Sequence, residues 1–167
     1  MENAVTRSLS VVLITWNSAR YLRRCLEGIA AQTWPHVELI VVDNASSDES
    51  LALVADRGTI IRNDTNRGFS AAVNQALAVA RGEFVLLCNP DAFLEPDYIR
   101  RVIEALDEAG ESFGMATGKL LSTSGDNIVD SKGIRMTRTG RHFDIEQGQA
   151  DQPSNSATQQ PSNKEHP

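Results

Sequence analysis

Apolar residues in this chain form four short, nearly continuous runs, and a segment with helical spacing follows each run. The runs are rich in β-branched residues, which is typical of strands buried on both faces of a parallel sheet. We predict strands at Leu9–Thr15, Val37–Val42, Thr59–Arg62 and Phe84–Cys88. The alternation of strands and helices predicts an α/β fold with a mostly parallel sheet flanked by helices.

The segments between the runs predict helices that each have one apolar face. Asn17 or Ser18 is expected to cap the first helix, and Pro96 suits the first turn of the last one. Gly68 opens the third helix and Gly82 closes it. The inward positions that helical periodicity predicts are Tyr21, Leu22, Cys25, Leu26 and Ile29, then Leu51, Val54 and Ala55, then Ala72, Val73, Ala76, Leu77 and Ala80, and finally Ile99, Val102, Ile103 and Leu106.

The pattern weakens in the last third of the chain. A strand within 113–121, a short one at 127–130 and then loops or a hairpin are expected. Residues 146–167 contain only two alanines from the apolar set, which is too little apolar surface to offset the entropy of ordering. We therefore predict one domain over residues 8–145 and a disordered tail over 146–167.

Composition narrows the class of protein and its partners. Hydrophobic content of 41% and charged content of 23% in 167 residues are globular values. A net charge of −6 argues against a nucleic-acid-binding protein, which needs a basic face. There is no signal-peptide pattern, and no apolar run approaches the roughly 20 residues that cross a bilayer. We expect a cytoplasmic protein with two buried, reduced cysteines, and peripheral contact with the inner face of the membrane stays open.

Carboxylates stand where two of the strands end, at Asp43 and just beyond the fourth strand at Asp91. Open α/β sheets bind ligands in the crevice outside the carboxyl ends of their strands. Taken alone, Asp43 could equally accept N–H bonds within its own turn. Asp48 returns a second carboxylate to the same rim, which favours Asp43 as the ligand of a base or ribose and Asp48 as a helix cap or turn brace.

Asn66 and Gly68 form a turn that opens a helix between these two strands. Gly68 permits a positive φ angle and a close approach of ligand to backbone, and the amino end of the helix favours an anion. A simple turn is the alternative. Asn74 lies on an otherwise apolar face of that helix, so its amide needs partners either in the backbone or in a ligand.

Asn89-Pro90-Asp91 is a turn signal at the carboxyl end of a strand, where a phosphate-bound cation would need an oxygen ligand. One carboxylate, waters and a diphosphate can hold Mg²⁺ or Mn²⁺ without an all-protein cage. The sequence has no zinc-type His/Cys spacing and no Gly-x-Ser-x-Gly nucleophile elbow.

Four stretches in this order resemble family 2 glycosyltransferases with the Rossmann-like GT-A fold, and especially their rhamnosyltransferase-like branch. They are Val11–Asn17, Val41–Asp48, Asn66–Asn74 and Leu86–Ala92. The resemblance implies that the chain is the amino-terminal, donor-binding part of that fold. It also implies that the carboxyl-terminal part is truncated.

The resemblance implies a nucleotide-sugar site along this rim. The residues that would line it are Thr15, Asn17, Asp43, Asn66, Gly68, Asn74 and Asn89. Among them, Asp43 would contact the base. Asn89-Pro90-Asp91 takes the place of the family's Asp-x-Asp motif, so Asp91 would carry most of the binding of Mg²⁺ or Mn²⁺.

The implied reaction is metal-assisted transfer, with inversion, of a sugar from a UDP- or dTDP-sugar to a glycan or lipid-linked acceptor in cell-wall or polysaccharide biosynthesis. The family's general base lies in a downstream Glu-Asp type motif, and no such motif follows Arg141. We therefore identify no catalytic base, and the alternative is a donor-binding module without transfer activity. A nicotinamide-dependent oxidoreductase ranks lower, because no Gly-x-Gly-x-x-Gly follows the first strand.

Overall fold

The computed structural model describes residues 7–124, 126–136 and 142–151, and the chain forms two compact units that divide after Ile99. The elements of the first unit are β1 (Leu9–Thr15), α1 (Ala19–Ala30), β2 (Val37–Asp43), α2 (Ser50–Val54), β3 (Thr59–Arg62), α3 (Phe69–Leu77) and β4 (Phe84–Cys88). The elements that follow are α4 (Tyr98–Ala109) and the short strands β5 (Leu120–Leu121), β6 (Val129–Ser131), β7 (Ile134–Met136) and β8 (His142–Asp144).

The first four strands form one parallel sheet in the order β3-β2-β1-β4. All residues of β1 are buried, because β1 has a neighbouring strand on each side and helices cover the sheet. The predicted α/β fold with a parallel sheet flanked by helices is confirmed. Since the strands are parallel, their carboxyl ends meet at a single edge of the sheet.

The core lies on both faces of this sheet. One face packs against α3, and the cluster there consists of Val12, Ile14, Ile40, Val42, Ala72, Val73 and Ala76. The other face presents Val11 and Leu13, both fully buried. Helix α1 buries Leu22, Cys25, Leu26 and Ile29. These helices use the apolar faces that periodicity predicts, except that Tyr21 and Leu77 are 40% and 44% exposed.

Two predictions about the ends of helices differ from the structure. Helix α3 ends at Leu77, so Gly82 does not close it. Gly82 instead lies against β1: a Cβ at this position would stand 2.4 Å from Ser10 N and 2.7 Å from the carbonyl carbon of Leu9. At the start of α1, Ser18 stands at the predicted cap position, but its side chain makes no capping hydrogen bond. A side chain from another loop accepts the first N–H of the helix instead, as described below.

A carboxylate at the amino end of the sheet joins β2 to the turn before β4. Glu38 Oε1 accepts hydrogen bonds from Ser10 Oγ at 2.5 Å, Arg81 N at 2.6 Å and Gly82 N at 3.2 Å. The bonds from Ser10 and Arg81 hold the pKa of Glu38 below its ordinary value of 4.5. Glu38 therefore stabilises the fold above pH 4.5, and this contribution is lost as the pH falls through the lower pKa of the folded state.

We predict that Glu38→Gln lowers the free energy of unfolding by about 1 kcal/mol at pH 7, because an amide oxygen accepts these bonds more weakly than a carboxylate. Urea unfolding of both proteins at pH 7 and at decreasing pH below 4.5 measures the effect. The difference should shrink as Glu38 becomes protonated in the folded wild-type protein. A difference that is constant with pH would contradict this role.

The second unit contains two antiparallel strand pairs, β5 with β6 and β7 with β8. The latter pair confirms the expected hairpin, whereas the strand expected within 113–121 is reduced to β5. In the predicted tail, Ala150 bridges to Ile128, and residues 152–167 lie outside the described residues. Within the described ranges, no helix is both long and apolar enough to cross a membrane.

Candidate functional site

The carboxyl ends of β1, β2 and β4 lie at one edge of the sheet, with β1 in the middle. Thr15 is the register partner of Asp43, and Leu13 is that of Cys88. The turn 89–91, which follows β4, therefore lies beside the carboxyl end of β1. The loop before α3 also reaches this edge, through hydrogen bonds described below. Except for Asn74, which lies further along α3, the structure gathers the predicted site residues at this edge.

The paired strand ends Thr15 and Asp43 each carry a buried oxygen atom without a partner in the described part of the chain. Thr15 is fully buried and Asp43 is 3% exposed. Asp43 Oδ2 accepts a hydrogen bond from Ser46 N at 3.2 Å. Within the described part of the chain, Thr15 Oγ1 and Asp43 Oδ1 have no hydrogen-bond partner. Unsatisfied buried oxygens are rare and costly, so a ligand that donates a hydrogen bond here would be stabilised.

The loop after β1 is locked to the loop after β2. Asn17, with φ of 50°, donates its N–H to Ser46 Oγ at 3.0 Å. Asn17 Oδ1 accepts from Ser47 N at 2.8 Å and from Ser47 Oγ at 3.2 Å. The carbonyl half of the Asn17 amide is therefore used within the protein. Its NH₂ group makes no hydrogen bond within the residues that the structure describes.

Asp48 is the side chain that caps α1. Its Oδ2 accepts from Ala19 N at 3.0 Å, and its Oδ1 accepts from Ser50 N at 2.9 Å, in the first turn of α2. A further hydrogen bond from the Ser50 hydroxyl is the largest cause that lowers the pKa of Asp48. The prediction of Asp48 as a cap or turn brace is confirmed, and it serves two helices at once.

Asn44 is a functional candidate that sequence reasoning missed. It is 2% exposed, and its Oδ1 accepts from Asn63 Nδ2 at 2.9 Å and from Arg67 N at 3.1 Å. Its Nδ2 donates to Asn66 Oδ1 at 3.1 Å and to the Gly68 carbonyl at 3.3 Å. A signal was available in the sequence, because strand alternation turns residue 44 away from the face of Asp43 and towards α3.

Gly68 stands at the start of α3 with φ of 81°, a conformation that favours glycine. Among the described residues, no side chain caps this helix, and the N–H groups of a first helical turn have no partners within the helix. Asn74 is exposed, so the prediction that it lies on the apolar face is wrong. Its neighbour Gln75 is the half-buried amide, and it pairs with Asn63. A role of Asn74 in nucleotide binding stays a prediction.

Asn89-Pro90-Asp91 forms a turn that the Ala92 N–H closes with a 3.0 Å hydrogen bond to the Asn89 carbonyl. The side chains of Asn89 and Asp91 are exposed, and neither makes a hydrogen bond within the residues that the structure covers. These ranges also hold no group of three or more acidic, His or Cys side chains that could bind a metal. The hard oxygen donors at 89 and 91 suit Mg²⁺ or Mn²⁺ only if a diphosphate and water complete the coordination.

Two buried thiols lie beneath this turn. Cys25 Sγ and Cys88 Sγ both donate to the Asn89 carbonyl, at 3.6 Å and 3.5 Å. The neighbouring Cys88 thiol, together with burial, raises the pKa of the Cys25 thiol, so Cys25 stays protonated at neutral pH. The pair confirms the expectation of buried, reduced cysteines.

An open depression of about 460 Å³ lies elsewhere, beside Val37 and Leu39 in the amino half of β2. Asp56 and Arg57 provide its charged groups. None of the predicted site residues lines it, so it does not belong to the edge described above.

Comparison with known proteins assigns this chain to a family. The profile of Glycosyl transferase family 2 matches residues 10–163. The succinoglycan biosynthesis protein ExoO of Rhizobium meliloti is 34% identical over 124 residues, which are 72% of this chain and 36% of that protein. The chain spans about a third of the length of the curated relatives it matches.

Solved structures agree with this similarity. A crystal structure of S. aureus TarS 1–349 in complex with UDP-GlcNAc has a TM-score of 0.56 and 29% identity, over 60% of this chain and 31% of its own. A glucosyl-3-phosphoglycerate synthase from Mycobacterium tuberculosis, in complex with Mn²⁺, UDP and glucosyl-3-phosphoglycerate, shares the fold alone, with a TM-score of 0.50 and 19% identity over 60% of this chain and 39% of its own. The GT-A-like fold is thereby confirmed. Since the family profile covers most of the sequence, this chain belongs to glycosyl transferase family 2.

Proposed function

We propose that this chain transfers a sugar, with inversion, from a UDP- or dTDP-sugar to a glycan or lipid-linked acceptor, and that residues 8–145 bind the donor. The observation that carries the proposal is the unpartnered pair of buried oxygens, Thr15 Oγ1 and Asp43 Oδ1, at the carboxyl edge of the sheet. A pyrimidine base or a ribose offers N–H or O–H donors that these oxygens lack.

Other features of the edge suit the rest of a nucleotide sugar. The first turn of α3, which no side chain of the described ranges caps, offers N–H groups to a diphosphate. Asn66 and Gly68 shape that turn. The NH₂ group of Asn17, which makes no hydrogen bond in the part of the chain that the structure covers, is available to the nucleotide. Asn74, further along α3, is proposed to line the same path.

Asn89 and Asp91 would hold Mg²⁺ or Mn²⁺ at this edge, because their oxygens are exposed and uncommitted in the described chain. When bound, the cation would offset the negative charge that develops on the departing nucleoside diphosphate. The first-turn N–H groups of α3 would add fixed positive partial charge near the same group.

Transfer requires an acceptor hydroxyl to attack the anomeric carbon from the face opposite the diphosphate, with a general base within hydrogen-bond reach. We assign no base among residues 7–124, 126–136 and 142–151. Glu146 forms an ion pair with Lys132 and lacks the surroundings of the family motif. Because no base is assigned within these ranges, the second candidate function for this part of the chain is donor binding without transfer.

The names of two relatives support the choice of substrates. One relative is solved in complex with UDP-GlcNAc, and another is a succinoglycan biosynthesis protein. A uridine or thymidine donor and a growing polysaccharide are therefore the first substrates to test. Membership of the rhamnosyltransferase-like branch, which the four stretches of the resemblance imply together, belongs to the same proposal.

We expect UDP or dTDP to bind the full chain, and to bind at least about tenfold more tightly with Mn²⁺ present, because the cation links Asp91 to the diphosphate. Isothermal titration with and without Mn²⁺ measures both constants. Failure of both nucleotides to bind would overturn both candidate functions.

A labelled UDP- or dTDP-sugar with a lipid-linked or glycan acceptor then separates the two candidates. Transfer that requires the acceptor would support the enzyme. Donor binding without transfer to any acceptor would support the binding module.

A further inference from the structure

The Asn44 side chain uses its full hydrogen-bonding capacity inside the protein. An amide can donate two and accept two hydrogen bonds, and Asn44 makes all four, with Asn63, Asn66, Arg67 and Gly68. Reversing the amide would place its oxygen against two acceptors, Asn66 Oδ1 and the Gly68 carbonyl. One orientation is therefore strongly preferred, and this orientation ties the end of β2 to the loop before α3.

Asn44 holds the backbone carbonyl of Gly68 directly and its N–H group through Asn66. It donates directly to the Gly68 carbonyl, which also accepts the first hydrogen bond of α3 from Ala72 N at 3.2 Å. It also holds Asn66 Oδ1, which accepts from Gly68 N at 2.9 Å. A glycine with positive φ has many other conformations available. These bonds select the conformation that sets the direction of the first turn of α3.

Asp43 and Asn44 are consecutive, and their side chains lie in two different parts of the edge. Asp43 lies beside Thr15, and Asn44 contacts the loop before α3. Asp43 is level with Thr15, and the Asn44 N–H continues the β1 contact by donating to the Thr15 carbonyl at 2.8 Å. The Asn44 side chain then reaches the opposite side, towards α3. The distance between the Asp43 carboxylate and the start of α3 is thus fixed by adjacent residues of one strand end.

We propose that Asn44 is a positioning residue that holds the amino end of α3 at the place where the diphosphate of the nucleotide binds. This proposal rests on the proposed function, since it concerns the same site. It adds that Asn44 acts on the phosphate-bearing part of the ligand and leaves the contact with the base nearly unchanged.

The chain offers a matched control in the same network. Gln75 exchanges two hydrogen bonds of 2.9 Å with Asn63 and makes none with Gly68. Gln75→Leu therefore removes two amide bonds of the network and leaves the four bonds of Asn44 in place. Asn44→Ala removes those four, and Asn44→Ser is a milder variant for use if the alanine variant does not fold.

The test compares the wild-type chain, Asn44→Ala and Gln75→Leu, first by hydrogen exchange without ligand. In Asn44→Ala, the Arg67 and Gly68 amides should exchange about tenfold faster. The Arg67 N–H loses its acceptor, and the acceptor of the Gly68 N–H, Asn66 Oδ1, is no longer held by Asn44. In Gln75→Leu, the exchange of these two amides should stay within about twofold of wild type. Unchanged exchange in Asn44→Ala would overturn the proposal.

Titration with UDP and with uridine then tests the phosphate specificity. UDP should bind Asn44→Ala about tenfold more weakly, whereas the affinity for uridine should change by less than about twofold. Equal losses for UDP and uridine, or no loss for either, would overturn the positioning role. If wild-type protein binds neither ligand, the proposed function fails, and with it the role of Asn44 in binding.

Discussion

Asp43→Asn should weaken UDP binding by about tenfold to a hundredfold, the effect of removing a charge-assisted hydrogen bond. The reason lies in the geometry of the carboxylate. Oδ2 of Asp43 accepts a hydrogen bond from Ser46 N. An asparagine at position 43 would therefore keep its oxygen at the place of Oδ2 and put its NH₂ group at the place of Oδ1. A ligand N–H would then meet a donor where it now meets a free acceptor.

The same change should leave the thermal midpoint of unfolding equal to that of wild type or higher, because an uncharged amide replaces a buried carboxylate that has one oxygen without a partner, and burying the amide costs less. Titration calorimetry and thermal unfolding of the full chain measure the two effects. The combination matters, since binding lost together with stability would indicate that Asp43 is needed for folding and not for the ligand.

Asp48→Asn is the matched control, with the same chemical change on the same rim. Both Asp48 oxygens already accept from the protein, at Ala19 N and Ser50 N. Its replacement should therefore lower stability while leaving UDP affinity within about threefold of wild type. If Asp48→Asn weakened binding as much as Asp43→Asn, the assignment of Asp43 to the base would be wrong.

Asp91→Ala should abolish the gain in UDP affinity that Mn²⁺ provides, and with it any sugar transfer. Asp91 contributes the carboxylate of the turn, and the described residues contain no cluster of acidic, His or Cys groups that could replace it. Without Mn²⁺, the variant and wild type should bind UDP equally, because the side chain would then have no cation to share with the diphosphate. Isothermal titration at several Mn²⁺ concentrations measures this.

Glu95→Gln provides the comparison for Asp91→Ala. Glu95 is an exposed acid four positions further along the same loop, and the hydrogen bonds found there use its backbone. This variant should keep the full response to Mn²⁺. A response that persists in Asp91→Ala would show that the cation binds elsewhere, and the metal-assisted part of the proposal would then be withdrawn.

The strands were predictable because each is a single apolar run. The structure starts and ends β1, β3 and β4 where the sequence predicts, and β2 is longer only by Asp43. What the runs could not reveal is that β4 is the last strand in the order and that α3 packs over β1 and β2. Val85 and Leu87 are consequently 41% and 51% exposed.

The details of the site were harder to predict, because they depend on contacts between distant loops. Local rules selected Asn17 or Ser18 as the cap of α1, yet Asp48 does this from the next loop. Helical phase misplaced Asn74 by one position, so that the inward amide is Gln75. The chemical type of each residue was visible in the sequence, whereas its partner was decided by tertiary packing.

The two thiols beneath residues 89–91 can report local opening of this edge of the sheet. Cys25 in α1 and Cys88 at the end of β4 are both buried. An alkylating reagent can therefore reach them only when α1 and the end of β4 separate. The labelling rate of the native protein therefore measures how often this part of the sheet opens. No introduced probe is required, and the labelling rate can be measured with and without a bound nucleotide.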